Sequence, residues 1–210
     1  YNDQGSTLLD SVPDMSILPE QSASFSGQLG CKIRSVNGES FNTRFVFLDS
    51  KNDTNTLILS YIDKAVGLTY TATIAAHEPS NMFSLTSKIE SSEPIFVDWL
   101  SVPALPAPQN SERMLDYGGQ WCGEFQAQST PWIVGSHLRE SRTGTTSHQN
   151  FPGLIVPTTE CTENMGSCYG FHYGWSGGHR MIAEQLPDGR RQVQFGHCEQ
   201  SELRSGRFFE

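Results

Sequence analysis

The sequence predicts an all-β fold, a large antiparallel β-sandwich, on three observations. Apolar residues alternate with Thr or Ser in segments that recur at turn-sized intervals. The connections between them are rich in Pro, Gly, Asn and Asp, the residues that turns require. No stretch sustains the 3.6-residue apolar period of an amphipathic helix, so the pattern favours packed sheets over an α/β arrangement.

Taken in order, Leu57 to Ile62 reads as a strand, followed by Leu68-Thr69-Tyr70-Thr71-Ala72-Thr73-Ile74, which alternates strictly, and by Phe83 to Ile89. Each has one apolar face, as a half-buried strand does. Asp49 to Asp53 and His77 to Asn81 read as polar turns between them. Phe96 to Val102 is richer in apolar residues and runs into Pro103-Ala104-Leu105-Pro106-Ala107-Pro108, whose prolines force an extended connection and mark the best internal boundary. Ser111 to Leu115 is the best helical candidate, and it is short. Glycines from Gly166 to Gly178 interrupt short aromatic runs, as at bulges and sharp turns. In Leu186-Pro187-Asp188-Gly189-Arg190, Pro presets φ, Asp can bond its own backbone and Gly accepts positive φ. A hairpin of Met181 to Gln185 and Arg191 to Phe195 follows from that turn, with Val193 and Phe195 on one face and Gln192 and Gln194 on the other. Leu203 to Glu210 reads as part of a further hairpin, so the chain is expected to stop before the domain's own end.

At 210 residues, positions 1–210 are expected to form one domain. A net charge of −9 supplies no electrostatic footprint for a polyanion, which excludes nucleic acid as a partner. No apolar run reaches the roughly 20 residues of a membrane helix, so no membrane partner is expected, and the N-terminus lacks a signal-peptide pattern. The first residue, Tyr1, implies that something upstream was removed or never included. The five cysteines, Cys31, Cys122, Cys161, Cys168 and Cys198, are irregularly spaced with no C-x-x-C pair. They read as reduced thiols of a cytoplasmic protein, with Cys161 and Cys168 the one pair that could bridge.

Ordered motifs carry a resemblance. Ser141-Arg142 precedes Gly144 and Ser147-His148; Gly166, Tyr169-Gly170-Phe171 and Ser176-Gly177 follow; the hairpin then leads into Gln192-Val193-Gln194-Phe195-Gly196. Together with Leu9 to Gly30 and Gly118-Gly119-Gln120-Trp121, they resemble the N-terminal domain of the α-galactosidases of glycoside hydrolase family 36. The resemblance implies a supersandwich of the galactose mutarotase-like kind, without the catalytic barrel that follows it in the same polypeptide. It implies a parent that hydrolyses terminal α-D-galactosides of the melibiose and raffinose type with retention, using two carboxylates about 5 Å apart and no metal or organic cofactor. It also implies a homotetramer in which the sandwich completes a neighbouring subunit's substrate pocket.

The family's nucleophile sits in a Lys-Trp-Asp signature, which is absent here. No catalytic residue is therefore assigned, and Glu140, Glu160, Glu163, Asp98 and Asp116 read as ordinary acids of an acidic protein. Trp121 is the expected substrate-binding residue, since an indole face packs against the C–H face of a sugar; a core or intersubunit tryptophan is the competing reading. Cys122-Gly123-Glu124 departs from the Ala-Arg-Glu-like run of relatives. Ser24-Phe25 stands where many members place a sugar-binding Asp. His148 and His179 read as hydrogen-bonded structural residues and Arg142 as a pin between strand and loop; no metal site is expected. The alternative function is a free-standing galactoside-binding module with Trp121, Trp132 or Trp175 as its platform, and a purely oligomerising domain is compatible with the first reading.

Overall fold

A computed structural model describes residues 17–20, 27–143, 149–198 and the backbone of 205–209. Gly144, Ser147-His148, Ser24-Phe25, Leu203-Arg204 and most of Leu9 to Gly30 lie outside the described residues. Fifteen strands follow in chain order: β1 (Cys31–Ser35), β2 (Ser40–Phe41), β3 (Val46–Asp53), β4 (Thr56–Asp63), β5 (Leu68–His77), β6 (Met82–Leu100), β7 (Leu105–Pro106), β8 (Arg113–Gln120), β9 (Gly123–Pro131), β10 (Gly135–Ser141), β11 (Gly153–Pro157), β12 (Cys168–His172), β13 (His179–Gln185), β14 (Arg191–His197) and β15 (Ser205–Phe209). All named strand pairs are antiparallel. There is no helix among the described residues, so the chain is all-β.

The strands fall into two compact units that divide between Ala104 and Leu105, inside the proline-rich segment. One is a seven-stranded sheet in the order β2-β1-β6-β5-β4-β3, with β15 alongside β6. Its core follows from strict alternation: Leu68, Tyr70 and Ala72 of β5 and Ile89, Ile95 and Val97 of β6 are all buried, with Ile33 of β1 packed among them. Strand β6 is 19 residues long and continuous, so Phe83 to Ile89 and Phe96 to Val102 belong largely to one strand, not two. Strand β3 corrects the reading of Asp49 to Asp53 as a turn. Those residues pair with β4 through Asp53↔Thr56, and the turn lies just beyond them. The strand sits at the sheet edge with every side chain exposed, so it carries no apolar face for a period-two signal to reveal.

The second unit holds two four-stranded sheets, β10-β13-β14-β7 and β12-β11-β8-β9. The β13–β14 hairpin forms in the expected register, from Gln185↔Arg191 to His179↔His197, and Gly189 takes φ +89° in its turn. Val193 and Phe195 are buried, but so are Gln192 and Gln194, so both faces are covered. Gln192 Nε2 accordingly donates to Glu184 Oε2 at 3.1 Å. Ser111 to Leu115 is not helical: Arg113 begins β8. Likewise β15 does not fold back as a hairpin arm but pairs with β6 through Ser205↔Phe96 and Phe209↔Ile89.

None of the five cysteines, all of them among the described residues, is in a disulfide; Cys31 and Cys198 are buried and Cys122 and Cys168 exposed. Burial, aided by the nearby Glu20 carboxylate, pushes the Cys31 thiol up to about 12. Alkylation of the native protein is therefore expected to label Cys122 and Cys168 first, and Cys31 and Cys198 only after unfolding. Mass spectrometry that finds a Cys161–Cys168 disulfide, or native labelling of Cys31, would contradict this arrangement.

Candidate functional site

Trp121 occupies the tip of the β8–β9 hairpin, where Gln120 pairs with Gly123 across a turn of Trp121 and Cys122. Its side chain is 80% exposed, so the core reading of this tryptophan fails. Cys122 takes the left-handed φ of +62° that the turn requires, and its N–H donates to Glu124 Oε1 at 3.1 Å. Three residues on, Phe125 is also left-handed, with φ +56°. Its ring stacks on Tyr117 at 4.5 Å and meets Phe151 edge-on at 5.1 Å, which ties the hairpin stem to the chain entering β11.

The glycines before Trp121 permit a close approach of main chains. A Cβ on Gly119 would stand 2.2 Å from Gly123 O, and one on Gly118 would stand 2.8 Å from Gln149 O. Into that space comes the segment Gln149–Phe151. Gly119 N–H donates to Gln149 O at 2.8 Å, Phe151 N–H donates to Tyr117 O at 2.8 Å, and Gly118 bridges Asn150. The Gly118–Trp121 motif and the Gln149–Phe151 segment, distant in sequence, thus meet in space.

Between them lies a cleft of about 960 Å³. Trp121 stands on its rim, Gly118 and Gly119 contribute backbone, and Gln126, Gln128, Gln149 and Asn150 line it with amides. Glu140 and Arg142 complete the polar lining. Arg180 Nε donates to Glu140 Oε2 at 2.7 Å, and Arg142 Nε bonds Oε1. Burial would raise the Glu140 pKa, but these two guanidinium bonds, with a further contribution from Cys198, outweigh it and hold the carboxyl below its ordinary range. Glu140 is therefore ionised, with no proton to give as an acid. The backbone N–H of Arg142 donates to Gln149 Oε1 at 3.3 Å, while its guanidinium meets Glu140 two residues back along the chain.

The remaining acids differ. Asp98 accepts two bonds from Arg34, at 2.5 and 2.7 Å, and Glu160 and Glu163 are exposed. Asp116 on β8 is buried and bound by two residues of β10, His137 Nε2 at 2.5 Å and Arg139 Nε at 2.7 Å. This cluster joins β8, which leads into the Trp121 turn, to β10, which carries Glu140. Burial would raise the Asp116 pKa; the His137 and Arg139 hydrogen bonds overcome it and lower the value. His179 is buried, with Nδ1 3.4 Å from Gly177 O, and desolvation lowers its pKa. Trp132 is buried beneath the Arg191 guanidinium at 5.1 Å, which removes it as a platform. Trp175 is 42% exposed and meets His197 at 5.2 Å. Among the described residues, no group of three or more His, Cys, Asp and Glu has the arrangement of a metal site.

Fold and site together define an all-β module with an aromatic-rimmed, amide-walled cleft. A family model described as the glycosyl hydrolase family 36 N-terminal domain matches residues 3–204, and the chain belongs to that family. It is 33% identical over 165 residues to an α-galactosidase of Escherichia coli, covering 75% of this chain and 22% of that protein. It is 24% identical over 152 residues to the α-galactosidase AgaA of Geobacillus stearothermophilus, covering 71% of this chain and 21% of that one. The crystal structure of the family 36 α-galactosidase AgaB from Geobacillus stearothermophilus superimposes with a TM-score of 0.80 at 19% identity, over 91% of this chain and 30% of that one. The chain thus spans about a fifth of the length of these curated relatives.

The lowered Asp116 pKa sets a sign for acid stability. A carboxyl whose folded pKa lies below its unfolded value stabilises the fold above the unfolded value, about 4, and that contribution is lost as pH falls through the folded value. Asp116→Asn is expected to cost about 1–3 kcal/mol at pH 7, and its deficit should shrink below about pH 4. Denaturant melts of both proteins across pH measure this; a deficit constant down to pH 2 would contradict it.

Proposed function

We propose that this chain is the non-catalytic N-terminal domain, residues 1–210, of a retaining α-galactosidase that hydrolyses terminal α-D-galactosides of the melibiose and raffinose type. The two carboxylates of that reaction, one nucleophile and one acid/base about 5 Å apart, lie on a barrel elsewhere in the same polypeptide, and no metal or organic cofactor takes part. The domain supports a homotetramer in the cytoplasm and reaches into the substrate pocket of a neighbouring subunit through Trp121. The observation that carries this reading is the exposed indole at the end of a hairpin whose stem is hydrogen-bonded to the Gln149–Phe151 segment. An apolar ring held out in this way suits packing against the C–H face of a sugar.

The cleft beside Trp121 favours a second reading, a galactoside-binding module that acts without a catalytic partner. Amide-walled sites of this kind bind neutral polyols without chemistry, and titration calorimetry of methyl α-galactoside into the 210-residue chain separates the two. Millimolar or tighter binding supports the module.

Two outcomes are expected. The purified 210-residue chain releases no galactose from an aryl α-galactoside; turnover that survives removal of host enzyme would refute its non-catalytic role. In the full-length parent, Trp121→Ala lowers kcat/KM roughly 10- to 100-fold, as for loss of about 1–3 kcal/mol of aromatic contact, with little change in Tm. A dissociated tetramer whose activity returns at high protein concentration would point instead to an interface role.

A further inference from the structure

Strand β3 lies at the edge of the seven-stranded sheet: it pairs with β4 on one side, and among the described residues no strand pairs with the other. Every residue of Val46–Asp53 is exposed. Such an edge presents a row of N–H and C=O groups without ladder partners, and charged side chains ordinarily keep it from pairing with another chain. Here the order of the charges decides which pairings are open. Asp49, Lys51 and Asp53 oppose Ser60, Ile58 and Thr56 of β4, so all three stand on one face of the sheet, with Ser50 and Asn52 on the other. The Ser50 N–H donates to Asp49 Oδ1 at 2.8 Å, so a side chain of the strand itself serves that backbone group.

In an antiparallel ladder, opposed residues either both turn their N–H and C=O toward the neighbouring strand or both turn them away. A strand that pairs with a second copy of itself about a two-fold axis therefore has that axis at a residue. At Asp49 or at Lys51 the axis would oppose like charges, acid to acid or base to base, which destabilises. At Ser50 it opposes Asp49 of each copy to Lys51 of the other, within an overlap of Phe47–Asp53. An axis at Asn52 would oppose Lys51 to Asp53, but over Lys51–Asp53 alone. We propose that β3 is a self-complementary interface, onto which a second copy of this chain adds its own β3, antiparallel, about a two-fold axis at Ser50. The Ser50 N–H then passes from the Asp49 carboxylate to the Ser50 carbonyl of the second copy, which frees Asp49 to meet Lys51. That pair falls at a non-hydrogen-bonded position, where facing Cα atoms are about 4.5 Å apart and side chains come closest. Beyond the bulge between Phe47 and Asp49, the exposed Val46, Phe47 and Leu48 come against the Asn52–Asp53 end of the second copy. The proposal rests on the reading of the parent as a homo-oligomer, and it names a surface that makes one.

Sedimentation velocity of the full-length parent over a dilution series tests the register. Asp49→Lys and Lys51→Asp each turn both cross-strand attractions into repulsions, on exposed side chains where folding is little affected. Each is expected to raise the dissociation constant of this interface about 10-fold or more, read as a loss of mass beginning at higher protein concentration than in the wild type. An equimolar mixture of the two variants opposes acid to base at both positions, and so does the double variant Asp49→Lys/Lys51→Asp; both are expected to regain the wild-type mass. Wild-type mass in both single variants at every dilution, a loss in Lys51→Asp alone, a loss that neither the mixture nor the double variant restores, or a loss that accompanies a lower Tm would each overturn the proposal and leave the homo-oligomer to another surface. A wild-type parent that sediments as a monomer at every concentration would remove the homo-oligomer reading itself, and the proposal with it.

Discussion

At Gly118 and Gly119 two main chains come closer than any side chain would allow. A Cβ on Gly119 would lie 2.2 Å from a carbonyl of its own hairpin, and one on Gly118 would lie 2.8 Å from the Gln149 carbonyl. Contacts under 3 Å cannot be relieved by rotating a side chain when the other atom is backbone. The remaining site geometry follows from this tolerance. Gln149 and Asn150 lie against the hairpin stem because the glycines admit them, Asn150 reaches the Glu140 carbonyl, and Trp121 is carried out beyond the point of closest approach.

The charges around this point hold strands in place. Asp116 with His137 and Arg139, and Glu140 with Arg142 and Arg180, each bring more than one donor to a carboxylate, although both donors to Asp116 meet Oδ2 and its buried Oδ1 has no hydrogen-bond partner among the described residues. Hydrogen bonds to a charged group are stronger than neutral ones, and removing one partner leaves a charge to be solvated in a half-buried place. Such acids are ionised and geometrically occupied, the opposite of a group poised to protonate a leaving oxygen. The cleft is therefore lined by amides and by charges already committed to one another, with the Trp121 indole beside them.

How much of this was legible depended on whether a residue's role shows in its neighbours along the chain. The alternation of Leu68, Tyr70 and Ala72, and the Pro-Asp-Gly turn before β14, are local signals, and both elements form where expected. Edge strand β3 has no buried face, so its polar residues resemble a turn. The start of β8 resembles a short helix because so few residues carry no period. Gln192 and Gln194 follow the alternation in direction but not in environment, since a buried amide with a partner looks the same in sequence as a solvated one. At the site, Trp121 and its glycines stood out as a motif. Gln128 and Asn150 did not, because the bonds that hold them in the cleft, to Arg139 and to the Glu140 carbonyl, are encoded by no spacing rule.

The central claim is that the Trp121 ring meets a saccharide. The most direct measurement is the ¹⁹F spectrum of the full-length enzyme labelled with 5-fluorotryptophan, with the Trp121 resonance identified by its absence in Trp121→Phe. Addition of a non-hydrolysable galactoside is predicted to shift that resonance and to reduce its solvent isotope effect as the sugar covers the ring. A Trp121 resonance unmoved at saturating ligand, in an enzyme whose active site is demonstrably occupied, would contradict the account.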